Sequence, residues 1–383
     1  MRIAFCSNFL SSHQRPLCDA LYASEECDFR FIASMPLSET RKAMGWQEEV
    51  TPYVIETYRS EAAYQKALDY VKTSDVVIVS GDEETSFFKI AIENKNTLVF
   101  RCCERCYKRG RWRAVSPKGI KIRWNSYYKY PKESLYMLCS SAYAAGDYAV
   151  LGSYFGRTYK WGYFTAVKDL DIEKSLNLKD ETYIFWAGRM LELKHPEKAI
   201  QVAAYLRERN IPFRMELAGD GPKFVWVQKL IREKDLTGCV SLLGGLSQEE
   251  TYTHMSKAGI FLATSDYGEG WGAVVGEAMS RGCAVVACEA MGATPFLIKD
   301  GQNGFSYRKG NEKKLCRTVE HLMTDGEMQR NIGRQAYETM ETQWNPKVAA
   351  QRLIQLVTEI RKGNKRPFVE GPCSKAYIFR KGR

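Results

Sequence analysis

Short apolar runs alternate with amphipathic stretches along most of the chain. Runs that suit buried strands lie at 2–7, 28–32, 53–56, 76–80, 97–100, 183–187, 213–218, 240–243, 259–263 and 284–287. Segments with helical spacing lie between them, for example at 62–72, 196–209 and 247–258. Such a regular alternation predicts an α/β protein with largely parallel sheets that are covered by helices.

A turn rich in glycine follows the strand at 259–263. Gly268, Gly270 and Gly272 allow the backbone there to come close to a ligand. A helix is predicted over 271–281, and the open N–H groups at a helix start favour an anion such as a diphosphate. The turn is therefore a candidate binding site.

Two carboxylates bracket this turn. Glu269 lies within it, and Glu277 lies in the predicted helix, roughly 7–8 Å along the axis from Gly272 at about 1.5 Å per residue. One carboxylate can hold a sugar hydroxyl while the other holds a ribose diol. The spacing indicates a nucleotide-sugar site only in combination with the glycines and the flanking strands.

The segment YGEGWGAVVGEAMSRGCAVVA resembles the E-x7-E element of the retaining group 1 glycosyltransferases, also called glycosyltransferase family 4. The resemblance covers nearly the whole chain and is most specific over 183–305. It implies a GT-B fold, in which two Rossmann-like domains with parallel sheets face each other across a cleft. Residues 1–166 are then the acceptor domain and 167–345 the nucleotide-sugar domain. The implied last part, 346–383, is a helix that crosses back to the first domain, followed by a basic tail.

The resemblance also implies roles for the second domain. The family's diphosphate clamp corresponds to Arg189 and Lys194, and cations there would stabilise the departing nucleoside diphosphate. Glu269 would contact the donor sugar and Glu277 the ribose diol. Backbone groups of the surrounding turns complete the predicted donor site at Gly188, Gly244, Leu246, Gly270, Trp271 and Gly272.

Three residues are candidates for the acceptor side. His13 lies in the loop after the first strand, at the sheet edge where open α/β folds bind ligands. It either contacts the acceptor or the reacting centre, or it is an exposed loop histidine. Glu104 follows the strand at 97–100 and either forms an ion pair or faces the acceptor, together with Arg105.

The net charge of +11 is concentrated between residues 101 and 132. Eleven basic residues, one acid and six aromatic residues lie in this stretch, and we expect irregular structure over 111–132. The basic residues are Arg101, Arg105, Lys108, Arg109, Arg111, Arg113, Lys118, Lys121, Arg123, Lys129 and Lys132. Such a patch favours an anionic membrane surface or nucleic acid, or it is a solvated basic face.

Neither a metal nor another cofactor is expected. The single C-x-x-C at Cys103 and Cys106 has no second pair or nearby histidine, and the D-x-D at Asp169 and Asp171 lies in a charged connector. The twelve cysteines are scattered, which indicates reduced thiols. The N-terminus has the pattern of a strand and no apolar run reaches about 18 residues, so we expect a cytoplasmic protein.

Together these observations predict a retaining, metal-independent glycosyltransferase. Its donor would be a UDP- or GDP-sugar, and its acceptor a saccharide that is lipid-linked, as in capsule, exopolysaccharide or lipopolysaccharide synthesis. The basic stretch would hold it on the inner face of the cell membrane, with no nucleic acid bound. Two alternatives stay open: a catalytically silent GT-B partner subunit, and a nucleic-acid-binding protein that uses 101–132.

Overall fold

The computed structural model describes residues 1–38, 51–81, 86–108, 110–128, 130, 133–150, 152–167 and 170–379. The chain divides into two compact units, 1–166 with 345–383, and 167–344. Each unit is built on its own parallel sheet, which confirms the predicted α/β architecture of two Rossmann-like domains.

The sheet of unit 1 has seven strands in the order β3-β2-β1-β4-β5-β6-β7, and its neighbouring strands pair in parallel. The strands are β1 (Arg2–Ser7), β2 (Asp28–Ala33), β3 (Val54–Glu56), β4 (Val76–Ser80), β5 (Leu98–Cys103), β6 (Leu135–Cys139) and β7 (Thr158–Lys160). The strand order reverses between β1 and β4, the position at which open α/β sheets place their ligands.

Helices connect these strands. They are α1 (Arg15–Tyr22), α2 (Glu61–Lys72), α3 (Ser86–Glu93), α4 (Pro117–Arg123) and α5 (Ala144–Ala149). A 3₁₀ turn at Arg111–Val115 precedes α4, and a π turn at Trp124–Tyr128 follows it. The expectation of irregular structure over 111–132 was therefore wrong for 111–128. Ser116 caps α4 through its side chain, and Pro117 occupies its first turn, where the missing N–H costs nothing.

The sheet of unit 2 has six parallel strands in the order β10-β9-β8-β11-β12-β13. They are β8 (Asp180–Ala187), β9 (Arg214–Ala218), β10 (Val240–Gly244), β11 (Ala258–Ala263), β12 (Ala284–Cys288) and β13 (Phe305–Tyr307). β11 is buried at every position, as expected for a central parallel strand.

The helices of unit 2 cover both faces of this sheet. They are α6 (Ile172–Asn177), α7 (Glu197–Glu208), α8 (Phe224–Glu233), α9 (Gln248–Lys257), α10 (Val274–Met279), α11 (Thr294–Leu297), α12 (Glu312–Thr324) and α13 (Gly326–Thr342). β13 runs parallel to β12, and a parallel neighbour needs a crossover, which α11 begins.

The last helix, α14 (Pro346–Arg361), belongs to unit 1 and packs against α1, which confirms the predicted return to the first domain. The tail after α14 is buried at 371–376. The Lys160 N–H donates to the Ser374 carbonyl (2.7 Å), and the Cys373 N–H donates to the Lys160 carbonyl (2.9 Å). These bonds attach the tail to the edge strand β7.

Candidate active site

The turn after β8 is packed directly on the turn after β9. Gly219 has a φ of +134°, and a Cβ built on it would lie 1.9 Å from the carbonyl oxygen of Gly188. Gly221 has a φ of +145°, and its Cβ would lie 2.9 Å from the carbonyl oxygen of Met190. Only glycine suits these two positions, because any Cβ would overlap the neighbouring backbone and the φ angles are positive. Gly219 and Gly221 therefore support the backbone that carries Arg189.

Lys194 ends a 3₁₀ turn (Glu192–Lys194) behind β8. The Thr264 hydroxyl donates to its carbonyl oxygen (2.7 Å), and the Trp186 indole donates to that hydroxyl (2.8 Å). The side chain of Lys194 forms an ion pair with the Glu269 carboxylate, and both are shielded, with 16% and 17% of their side chains exposed. Two predicted site residues from different turns are thus in contact, whereas the predicted partner of Lys194, Arg189, is exposed.

The glycine turn is tied to the turn that carries Lys194. The Asp266 N–H donates to the Leu193 carbonyl (2.8 Å). The Asp266 carboxylate accepts the Gly268 N–H (2.8 Å), and its carbonyl accepts the Glu269 N–H (3.0 Å). These three bonds set the position of Glu269, since its own backbone takes part in one of them.

The helix after the glycine turn begins later than predicted. Gly272 has a φ of +90°, which excludes it from a right-handed helix, and α10 starts at Val274 instead of Trp271. The Trp271 ring, 2% exposed, turns into the core and lies 6.1 Å from the Trp344 ring. Gly270, Trp271 and Gly272 are all buried, and their predicted backbone contacts with a diphosphate stay predictions.

Glu277 lies in the first turn of α10 and is 7% exposed. The Tyr252 hydroxyl donates to its carboxylate (3.3 Å), and Gln248 donates to that hydroxyl (2.8 Å). Burial and the nearby Glu277 carboxylate raise the pKa of Tyr252, so this hydroxyl remains a donor. No sequence motif points to Tyr252, because its pairing with Glu277 arises from the packing of α9 on α10.

The loop after β10 lies beside the turn after β9. The Gly219 N–H donates to the Gly244 carbonyl (2.6 Å), and Gly244 has a φ of +73°. Leu246 is half-buried. The carboxyl edge of this sheet thus combines two cations, two carboxylates and several exposed turns. Such a set can bind an anion and the hydroxyl groups of a sugar.

Unit 1 has a small cavity at the carboxyl edge of its own sheet, and it contains two of the predicted acceptor-side residues. His13 stacks on Tyr163, with 5.7 Å between ring centroids. The Tyr163 hydroxyl donates to Glu104 (2.8 Å), which also contacts Lys108 (3.4 Å). The cavity is lined by Phe5, His13, Gln14, Leu17, Ser80, Cys102, Glu104, Ser140, Trp161, Gly162, Tyr163 and Phe164. Both interpretations of Glu104, the ion pair and the ligand-facing carboxylate, agree with this geometry.

Arg105, the third acceptor-side candidate, is buried and does not line that cavity. Its guanidinium lies 3.6 Å from the Asp147 carboxylate, donates to the Tyr107 carbonyl (3.2 Å) and lies over the Tyr143 ring. These contacts are structural, and they leave Arg105 away from the cavity in which Glu104 and His13 meet.

The basic stretch 101–132 is not one continuous face. Arg101, Arg105, Tyr107 and Tyr127 are buried, because burial of their apolar parts completes the unit 1 core. A second group is exposed, and we call it the Trp–Lys surface: Trp112 (67% exposed), Arg113, Lys118, Ile120 (51%), Lys121 and Trp124 (59%). Arg109, Lys129, Lys132 and Asp169, and the side chains of Arg111 and Arg123, lie outside the described residues.

Comparison with known proteins identifies relatives of unit 2. Residues 167–339 match the family described as glycosyl transferases group 1. An alpha-D-kanosaminyltransferase of Streptomyces kanamyceticus is 26% identical over 51% of this chain and 50% of its own. A lipopolysaccharide core biosynthesis glycosyltransferase of Rhizobium meliloti is 24% identical over 46% of this chain and 50% of its own. The chain spans about half or less of the length of these curated relatives.

A solved structure shows the same fold over nearly the whole chain. HepE of Anabaena, crystallised in complex with UDP and glucose, superposes with a TM-score of 0.63 at 16% identity. The match covers 94% of this chain and 100% of that one. This likeness confirms the predicted GT-B fold. Among the described helices, none combines the length and apolar character needed to cross a membrane.

Proposed function

Because residues 167–339 match the family of group 1 glycosyl transferases, we propose that this chain is a retaining glycosyltransferase. It transfers a sugar from a nucleotide sugar to a saccharide acceptor in the synthesis of a cell-surface polysaccharide. The donor is a UDP- or GDP-sugar, and UDP is the first choice because HepE binds it. A lipid-linked acceptor is proposed because one relative acts in lipopolysaccharide core biosynthesis.

The ion pair of Lys194 with Glu269 carries this proposal. When a donor binds, Lys194 and Arg189 hold the diphosphate, and Glu269 is then available for a sugar hydroxyl. Glu277, held by Tyr252, accepts hydrogen bonds from the ribose diol. The shielding of Lys194 and Glu269 strengthens each of these interactions, because the local dielectric is lower than in water.

The same cations account for the proposed metal-independent chemistry. The bond from the anomeric carbon to the diphosphate breaks, and negative charge develops on the leaving oxygen. Arg189 and Lys194 stabilise that charge. In the proposed front-side displacement the acceptor hydroxyl attacks on the side of the leaving group, so the anomeric configuration is retained. The leaving phosphate then takes the proton of that hydroxyl.

On the acceptor side we propose the cavity of unit 1. His13 offers an imidazole, Tyr163 a hydroxyl and Glu104 a carboxylate. Tyr163 contacts both of the other two. Groups of this kind bind sugar hydroxyls by hydrogen bonds, and the adjoining aromatic side chains suit the apolar faces of a sugar ring. His13 is accordingly proposed near the reaction centre.

Donor binding is the direct test. Calorimetry with UDP-, GDP-, ADP- and TDP-sugars and the free diphosphates is expected to give one selective binder. Glu277→Ala is expected to weaken binding of the nucleotide sugar. Transfer to a saccharide acceptor in the presence of EDTA, with NMR of the product anomer, then tests the metal independence and the retention. Folded protein that binds none of these compounds would exclude the donor site and would favour a silent partner subunit.

The Trp–Lys surface supports association with an anionic membrane. Aromatic rings with exposed Lys and Arg suit the headgroup level of a bilayer, and each basic residue near the surface contributes about 1 kcal/mol. We therefore propose that the chain works at the inner face of the cell membrane. Of the two partners expected from the sequence, the membrane is favoured over nucleic acid because the apolar Ile120 is exposed as well as the aromatic rings of Trp112 and Trp124.

Lys118→Ala with Lys121→Ala is expected to weaken binding to vesicles with anionic lipid about 30-fold at low salt, since two charges of about 1 kcal/mol each are lost. Sedimentation with vesicles measures the partition coefficient. The matched control is Lys66→Ala with Lys95→Ala, two exposed lysines of the same unit, which should bind like the unmodified chain. Equal loss in both double variants would contradict the proposal, and preferential binding to oligonucleotides would favour the nucleic-acid alternative.

A further inference from the structure

His195, the residue after Lys194, has an unusual backbone. Its φ is +49°, the left-handed conformation that a residue with a Cβ seldom adopts. Each ring nitrogen faces a carboxylate: Nδ1 lies 2.6 Å from Glu197 Oε1, and Nε2 lies 3.3 Å from Asp266 Oδ2. The ring is largely shielded, as are both carboxylates. A strained backbone is retained only where the surroundings hold it, and these two contacts do so.

The two contacts require a charged ring. A neutral imidazole has one N–H and can donate to only one carboxylate, whereas the imidazolium donates to both. The bond to Glu197, and then the bond to Asp266, raise the pKa of His195 above its ordinary value, against the opposing effect of burial. The geometry and the direction of the pKa shift therefore agree on a histidine that keeps its proton to a higher pH than an ordinary histidine does.

Other charged groups surround this pair of contacts. Lys309 Nζ lies 2.7 Å from the same Asp266 oxygen, and Lys223 Nζ lies 3.5 Å from Glu197. Charged groups approach His195 from every neighbouring element. They are Lys194 on its own turn, Glu197 and Lys198 on α7, Asp266 after β11, Lys223 before α8, and Lys309 and Glu312 around the start of α12. The cations reduce the benefit of a charged ring, but none of them bridges Glu197 and Asp266.

The bridge joins the two turns that carry the candidate donor residues. Glu197 starts α7, three residues after Lys194. Asp266 lies in the turn that sets the position of Glu269. We propose that His195 is a positioning residue for the donor site. As an imidazolium it holds the Lys194 turn against the Glu269 turn, so that affinity for a nucleotide sugar depends on its protonation. This inference rests on the proposed function for the identity of the ligand.

The sign of the pH dependence follows from the raised pKa of His195. The stabilisation is fully present below the ordinary pKa of a histidine, about 6.5. It is lost as the pH rises through the higher value that His195 has in the folded chain. Donor affinity should therefore fall as the pH is raised from about 6.5 through that higher value.

The protonation is tested first, on the free protein. NMR titration of the four histidines is expected to show one ring with a pKa above the ordinary value. That signal should vanish in His195→Asn, since asparagine tolerates the left-handed conformation but carries no charge. His321→Asn, at an exposed histidine of α12, is the matched control and should retain the signal. A His195 ring that titrates at or below the ordinary value would overturn the proposal.

Donor binding is tested second, with UDP-glucose as the probe, because its pyrophosphate has no ionisation in this pH range. The dissociation constant of the unmodified chain should rise about five- to tenfold from pH 6.5 to pH 8.5, the size of a modest linkage. In His195→Asn it should stay at the high-pH value throughout, with the donor KM following it and kcat little changed. His321→Asn should behave like the unmodified chain. An identical pH dependence in His195→Asn would refute the positioning role. If no nucleotide sugar binds at any pH, the proposed function fails, and the NMR titration alone then decides the imidazolium bridge.

Discussion

Lys194→Ala is expected to lower kcat/KM for sugar transfer by about 10²–10³-fold, the effect of removing one group that stabilises developing negative charge. The loss corresponds to roughly 3–4 kcal/mol of transition-state stabilisation. Lys194 is suited to such an effect because its ammonium is shielded and held next to Glu269. Steady-state kinetics with the preferred nucleotide sugar measures it, and calorimetry should show weaker binding of the free nucleoside diphosphate.

The control is Lys313→Ala, which removes the same charge from an exposed position of α12. It should leave both kcat/KM and donor affinity within about twofold, since an isolated surface charge contributes little. Lys194→Ala should remain folded, because the pair lies in turns at the edge of the sheet and Glu269 keeps 17% of its side chain exposed to water when its partner is removed. Full activity in purified Lys194→Ala would remove the donor-site assignment. Equal losses in both variants would indicate a general electrostatic effect and not a specific contact.

Gly219→Ala is expected to destabilise unit 2 by about 4 kcal/mol, the sum of a steric overlap and a strained backbone. The new Cβ would lie 1.9 Å from the Gly188 carbonyl oxygen, at a φ of +134°. The overlapping oxygen belongs to the backbone of Gly188, whose own N–H donates to the Ala218 carbonyl (3.0 Å), so it cannot easily move. For a unit of this size the loss should lower the unfolding temperature of unit 2 by about 10 °C. Differential scanning calorimetry measures it.

Gly238→Ala is the matched substitution for comparison. Gly238 has no atom within 4 Å of a built Cβ. The free energy of unfolding should therefore change by less than about 0.5 kcal/mol. A similar loss of stability in both variants, or an unaffected Gly219→Ala, would show that the contact between the two turns is not as tight as described.

Much of the fold could be predicted from local patterns. The strand at 284–287 is apolar throughout and the one at 76–80 is apolar up to Ser80, and they were placed within a residue of β12 and β4. Buried parallel strands have this signature because both of their faces are covered. The pattern failed where tertiary contacts dominate. The tail at 371–376 has no strong periodicity, yet it is buried because its backbone bonds to β7.

The candidate site divides in the same way. Glu269 and Glu277 were selected from their spacing around the glycine turn, and Arg189 and Lys194 from the resemblance to the group 1 glycosyltransferases. A turn followed by a helix brings such residues to the edge of a sheet. The start of α10 was misplaced because Gly272 was taken as helical, and a positive φ cannot be read from a glycine alone. The burial of Arg105 was also missed, since its partner Asp147 lies 42 residues further along the chain.

The sequence by itself determined the two α/β units and the glycine turn with its two glutamates, because these follow from local periodicity and short-range spacing. The cations after β8 were identified from the sequence through the family resemblance. Only the tertiary structure decided which of these groups meet. Lys194 pairs with Glu269 and His195 with Asp266, between turns that lie 75 and 71 residues apart. Tyr252 pairs with Glu277 between helices, 25 residues further along the chain. Such contacts depend on strand order and helix packing, which no local pattern encodes.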